Sequence, residues 1–83
     1  MIYAVIALRD KVSKNFESIN LDVSEATAKR NFSFAVNNSK ELLFKAKDLE
    51  LYHIGDFETE KGLFSAVVPM IRICSGDEVI INE

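Results

Sequence analysis

Positive charge is scarce in this chain: ten Lys and Arg stand against thirteen Asp and Glu, a net charge of −3 over 83 residues. A protein that coats nucleic acid by blanket phosphate neutralisation needs an excess of cations, so only a local basic patch remains open. Cysteine occurs once, at Cys74, which rules out an intramolecular disulfide and gives no sign of an oxidising compartment. Histidine also occurs once, at His53. One Cys and one His make a poor metal set, and no third group is evident to orient the imidazole as a general base. The three glycines, at 55, 62 and 76, are dispersed and form no phosphate-cradling loop. A long apolar run is missing too. Met1 to Leu8 is too short to span a bilayer and lacks the flanking charge and cleavage pattern of a signal peptide. The expectation is a protein without membrane attachment that stays in the cytoplasm where it is made.

Apolar residues, at 48%, are plentiful enough to build a core, and 83 residues fit one small domain. Ile2 to Leu8 is a continuous apolar run that suits a strand covered on both faces or a central strand. The polar stretch Arg9-Asp10-Lys11 to Asn15 follows as a surface loop. Phe16 to Val23 alternates loosely and reads as an irregular strand or an extended crossing. Asp22 or Ser24 offers an N-cap, with Glu25 at capping-box spacing from Asp22, so a helix is predicted from Glu25 to about Asn38. Ala28, Phe32, Ala35 and Val36 form its buried stripe, with Thr27, Arg30, Phe34 and Asn37 on another side. Asn37-Asn38-Ser39 ends it with residues that tolerate left-handed or turn geometry, and Lys40 to Lys47 allows one further helical turn.

Asp48 to Phe57, a charged connection with Gly62, and Leu63 to Cys74 read as an antiparallel hairpin. Its alternation sets His53 on the face of Leu49, Leu51 and Gly55. Pro69, the single proline, cannot donate a ladder hydrogen bond, so the second strand lies at an edge or bulges near Val68 to Met70. Ser75-Gly76-Asp77 signals a turn, and Glu78 to Asn82 is an option for a short last strand. The fold class is α+β: an antiparallel or mixed sheet in the order β-β-α-β-β, with one main helix on one face.

Catalysis is not expected. The carboxylates at Asp48, Glu50, Asp56, Glu58, Glu60, Asp77, Glu78 and Glu83 show no distinguishing spacing, and a solvated acidic face accounts for them. No catalytic residue, metal ligand or cofactor is assigned. A binding surface is the better candidate, because Tyr3, Phe34, Tyr52, Phe57 and Phe64 exceed the obvious needs of a helix-on-sheet core. An open sheet face can offer such aromatics to unpaired bases, although cross-strand packing is the ordinary role of aromatics in strands.

Met1-Ile2-Tyr3-Ala4-Val5 leading to Arg9-Asp10, Ala28-Lys29-Arg30-Asn31-Phe32, Phe44-Lys45, and Asp48-Leu49-Glu50-Leu51-Tyr52-His53-Ile54-Gly55-Asp56-Phe57 with Gly62 carry a resemblance. In their order and spacing they resemble the small nonstructural protein of gokushovirus-type microviruses, tailless phages with single-stranded circular DNA. Two departures stand out: Phe16 is not followed by Pro-Phe, and the net charge is negative. The resemblance implies a DNA-binding, non-enzymatic accessory of genome replication or packaging, working in the host cytoplasm. Single-stranded DNA, a phage or host replication protein, or a capsid protein are the implied partners, and a homo-oligomer is expected from the open edge. From residue type, Arg9, Lys11, Lys14, Lys29 and Arg30 are the candidate phosphate contacts and Tyr3 and Tyr52 the candidate stacking platforms. The rival expectation is an interaction module that touches no nucleic acid.

Overall fold

The computed structural model describes residues 1–81. Four strands, β1 (Ile2–Asp10), β2 (Asn15–Asp22), β3 (Leu49–Glu58) and β4 (Leu63–Ser75), form a sheet in the order β2-β1-β3-β4. All three pairings are antiparallel, which resolves the choice between an antiparallel and a mixed sheet. The helix α1 (Glu25–Asn38) lies on one face, and a short helix α2 (Lys40–Phe44) and a 3-10 turn at Ala46–Asp48 lead back into β3.

The core is the layer between α1 and the sheet. Ala4 and Ile6 of β1, Leu49 and Leu51 of β3 and Cys74 of β4 meet Ala28, Phe32 and Val36 of α1, with Ala46 and Val79 closing one end. Leu49, Val36 and Cys74 are fully buried. The helical spacing of Ala28, Phe32 and Val36 dictates this stripe, whereas Phe34, off the stripe, is 71% exposed. Burial raises the Cys74 thiol pKa, as expected of a cysteine acting as a small core hydrophobe.

Helix ends follow local chemistry. Ser24 caps α1 by accepting from the Thr27 amide, so the Asp22–Glu25 capping box is not formed. The other end has no left-handed residue: Ser39 is extended there and also caps α2 through the Leu42 amide. Asn38 instead donates to the Phe34 carbonyl. Asn37 donates to the carbonyls of Ser33 and Val79, while its own oxygen accepts from the Ile81 amide. The amide side chain thereby ties the C-terminal segment to the helix. That segment is not a strand within the described residues: Gly76–Val79 is a 3-10 turn closed by a capping box between Ser75 and Glu78. Asn82, the end of the expected strand, lies outside the described residues.

Register irregularities decide which side chains share a face. Between Val5 and Ile6 the partner on β3 jumps from Gly55 to His53, leaving Ile54 unpaired. His53 therefore stays on the helix face with Leu49 and Leu51, but Gly55 is turned to the opposite face, a correction to simple alternation. On β4, Val67 to Met70 oppose a single residue of β3, which is the bulge expected around Pro69 on an edge strand.

Candidate nucleic-acid interface

The face of the sheet away from α1 is covered by no element among the described residues. Along β1 it presents Tyr3, Val5, Ala7 and Arg9, since alternate residues point to one side. Val5 and Ala7 are nonetheless buried. They are flanked on β2 by Leu21 and Ile19 and on β3 by Gly55 and Tyr52, so neighbouring side chains close over the small ones. This satisfies the continuous apolar run of β1 without a second helix. Ile19 and Leu21 themselves remain 65% and 49% exposed.

A bulge builds the polar end of this face. Leu8 pairs with Ser18, but Arg9 pairs with Phe16, so Glu17 is skipped. Without that extra residue Glu17 would continue the side of Ile19 and Leu21; with it, Phe16 joins them. The Phe16 ring meets Tyr52 edge-on at 5.7 Å between centroids, and the Arg9 guanidinium lies 5.8 Å from the Phe16 centroid. The Tyr52 hydroxyl donates to Glu50 at 3.2 Å, and Arg72 donates to Glu50 at 2.9 Å and to Glu78 at 2.6 Å. Hydrogen bonding from Arg72 holds the Glu50 and Glu78 carboxyls below their usual range. Burial and the neighbouring Glu50 charge raise the Tyr52 phenol, which stays protonated and able to donate.

Arg72 is thus committed to two carboxylates, but Arg9, Lys11 and Lys14 make no ion pair among the described residues. The loop that carries the two lysines is ordered by Asp10, whose carboxylate accepts from the amides of Val12 and Ser13. Lys11 anchors it to the Asp48 carbonyl, and Lys14 closes it in a left-handed conformation at φ 62°. At the other end of the face, Tyr3, Phe57 and Phe64 form a cross-strand row. The Phe64 ring lies over Gly55: a Cβ there would come within 2.5 Å of it. This row, at Tyr3, lies four residue steps along β1 from that of Tyr52, at Ala7, a span of about 13 Å.

Of the residues expected from sequence, Arg9, Tyr3 and Tyr52 lie on one face, with Lys11 and Lys14 in the exposed loop at its end. Lys29 and Arg30 do not join them. They are exposed on α1, beside a shallow groove of about 470 Å³ shared with Val79, Ile80 and Ile81, behind the sheet. Phe34 is also on the helix and not on the open face. Phe16 and Arg72 were not singled out by the sequence as binding residues, and alternation from Ile19 and Leu21 points to Glu17 in place of Phe16. His53 is on the helix side, with ring nitrogens 2.7 Å from Glu25 and 2.9 Å from Asp56. It bridges α1 to β3, and among the described residues its ring nitrogens bond carboxylates and neither a thiol nor a hydroxyl. No helix among the described residues is long and apolar enough to cross a membrane.

No curated protein and no solved structure matches the chain significantly. A family described as Phage ORF5 protein matches residues 3–79, taking in both rows of the open face, the helix and the hairpin, and the chain belongs to that phage protein family.

Proposed function

We propose that this phage protein is a non-catalytic accessory of genome replication or packaging that holds single-stranded DNA on the open face of its sheet. The observation that carries the reading is the Arg9–Phe16–Tyr52 cluster, two aromatics and a cation with no ion pair, on a face left uncovered among the described residues. In this reading Arg9, Lys11 and Lys14 contact phosphates while Phe16, backed edge-on by Tyr52, stacks a base, and the Tyr3–Phe57–Phe64 row receives a later base of the same strand. A replication protein of the phage or host is a compatible second partner. The resemblance to gokushovirus-type proteins supports a microvirus setting and action in the host cytoplasm.

Fluorescence anisotropy with a labelled single-stranded oligonucleotide at low salt tests the reading. Stacking on an aromatic is worth about 1–3 kcal/mol per base, so Phe16→Ala should weaken binding by about 5- to 150-fold, and Phe34→Ala should leave it unchanged. No binding by the unaltered protein, or an indifferent Phe16→Ala, overturns it.

A second reading is favoured by the apolar part of the same face, where Ile19, Leu21 and Phe64 are exposed. In it the face captures a replication or capsid protein and touches no nucleic acid. Binding that barely responds to salt would select it, since phosphate contacts weaken steeply as salt rises.

A further inference from the structure

We infer that two copies of this chain join through β2, strand against antiparallel strand, about a twofold axis at Asn20. The inference goes beyond the nucleic-acid reading and stands without it. The sheet has two edges, β2 and β4, and an edge presents unpaired backbone amides and carbonyls that template another strand. The β4 edge is guarded: Pro69 has no amide proton, and Val67 to Met70 bulge out of register. The β2 edge has neither proline nor lysine, and Asn15 to Leu21 are all exposed. Because only one edge is competent, pairing β2 with itself is the isologous solution that closes at two copies.

The side chains select the register. From Ser18 to Asp22 the strand alternates without a break, with Ile19 and Leu21 on the open face and Ser18, Asn20 and Asp22 on the helix face. Centring the axis on Asn20 sets Ile19 opposite the partner's Leu21 and Leu21 opposite the partner's Ile19. Asp22, the single charge of this stretch, meets the partner's Ser18, so no like charges face each other. Shifting the axis to Ile19 brings Leu21 against the partner's bulged Glu17. Shifting it to Leu21 runs the pairing past the strand into the partner's Val23 and Ser24, where the chain turns to cap α1. The central register alone keeps every pair within regular strand.

Opposed residues share a face in antiparallel pairing, so the two open faces become one surface carrying two Arg9–Phe16–Tyr52 clusters. With so few residues paired, the contact falls short of the roughly 1,200 Å² at which standard interfaces begin, and a micromolar dimer is the expected strength.

Two variants and a mass measurement test this. Directly opposed strand residues have Cβ atoms about 4.5–5.5 Å apart, close enough for a disulfide after slight adjustment. Asn20→Cys should therefore form a covalent dimer under mild oxidation, at least about tenfold faster than the control Phe34→Cys, which is also exposed. The native Cys74 is buried and does not compete. Sedimentation of the unaltered chain should move toward twice the chain mass as concentration rises into the hundreds of micromolar. Ile19→Lys, at a site 65% exposed in the single copy and so compatible with folding, should raise the dissociation constant by about tenfold or more. A monomeric mass throughout that range overturns the inference. So does a dimer that ignores Ile19→Lys, or an Asn20→Cys variant that crosslinks no faster than the control.

Discussion

At the scale of the residue, His53 shows most clearly what the chain's chemistry requires. Both ring nitrogens face carboxylate oxygens, and only the imidazolium can donate from both. Burial opposes that charge, but hydrogen bonds and attraction from Glu25 and Asp56 outweigh it and raise the pKa above 6.5. Because the folded-state value lies above the unfolded one, the charged bridge contributes fully below pH 6.5 and is lost as pH rises through the raised value. Urea midpoints should accordingly fall as pH rises from about the ordinary histidine value of 6.5 through the raised one, and His53→Gln should be flatter over the same range. A parallel decline in both proteins would show that another group is responsible. Sequence favoured a satisfied structural or partly exposed histidine over a general base, but it did not show the pairing with Glu25, which lies 28 positions away and is brought near only by helix-to-strand packing.

At the scale of the element, regular periodicity was legible and its interruptions were not. The span Glu25–Asn38 and its stripe of Ala28, Phe32 and Val36 follow from helical spacing and capping chemistry, as the hairpin follows from alternation and Gly62. Pro69 announced the β4 bulge because a missing amide is a property of the residue itself. The bulges at Glu17 and Ile54 carry no such mark, so Phe16 and Gly55 occupy faces that strict alternation does not assign. Helix phase can be tested directly. Phe32 is 8% exposed and Phe34 71%. Phe32→Ala should cost about 3–5 kcal/mol, and Phe34→Ala about 0.5 kcal/mol or less, as read from denaturant midpoints at constant m-value. Comparable losses would mean that Phe34 is covered in solution by a partner or that α1 is rotated.

At the scale of the whole molecule, the negative net charge and the proposed DNA contact are compatible only if cations are concentrated and uncommitted where the strand lies. Three carboxylates near the polar end of the open face are already engaged: Glu50 and Glu78 by Arg72, and Asp10 by loop amides. Arg9, Lys11 and Lys14 make no ion pair among the described residues and are the cations placed to exchange counterions for phosphates. Each phosphate contact to a single strand steepens the fall of log affinity with log salt by about 0.7. The combined change Arg9→Gln, Lys11→Gln and Lys14→Asn should therefore flatten that slope by up to about 2. Asparagine is chosen at 14 because it tolerates the left-handed backbone there, so the loop keeps its shape. The pair Lys29→Gln and Arg30→Gln carries a comparable loss of charge on the helix behind the sheet and should leave the slope nearly unchanged. This comparison separates local contact from the general field of the protein. If both sets flatten the slope in proportion to the charge removed, DNA senses net charge and no defined site. If the helix pair alone matters, the contact lies along α1 and the open face is left to a protein partner.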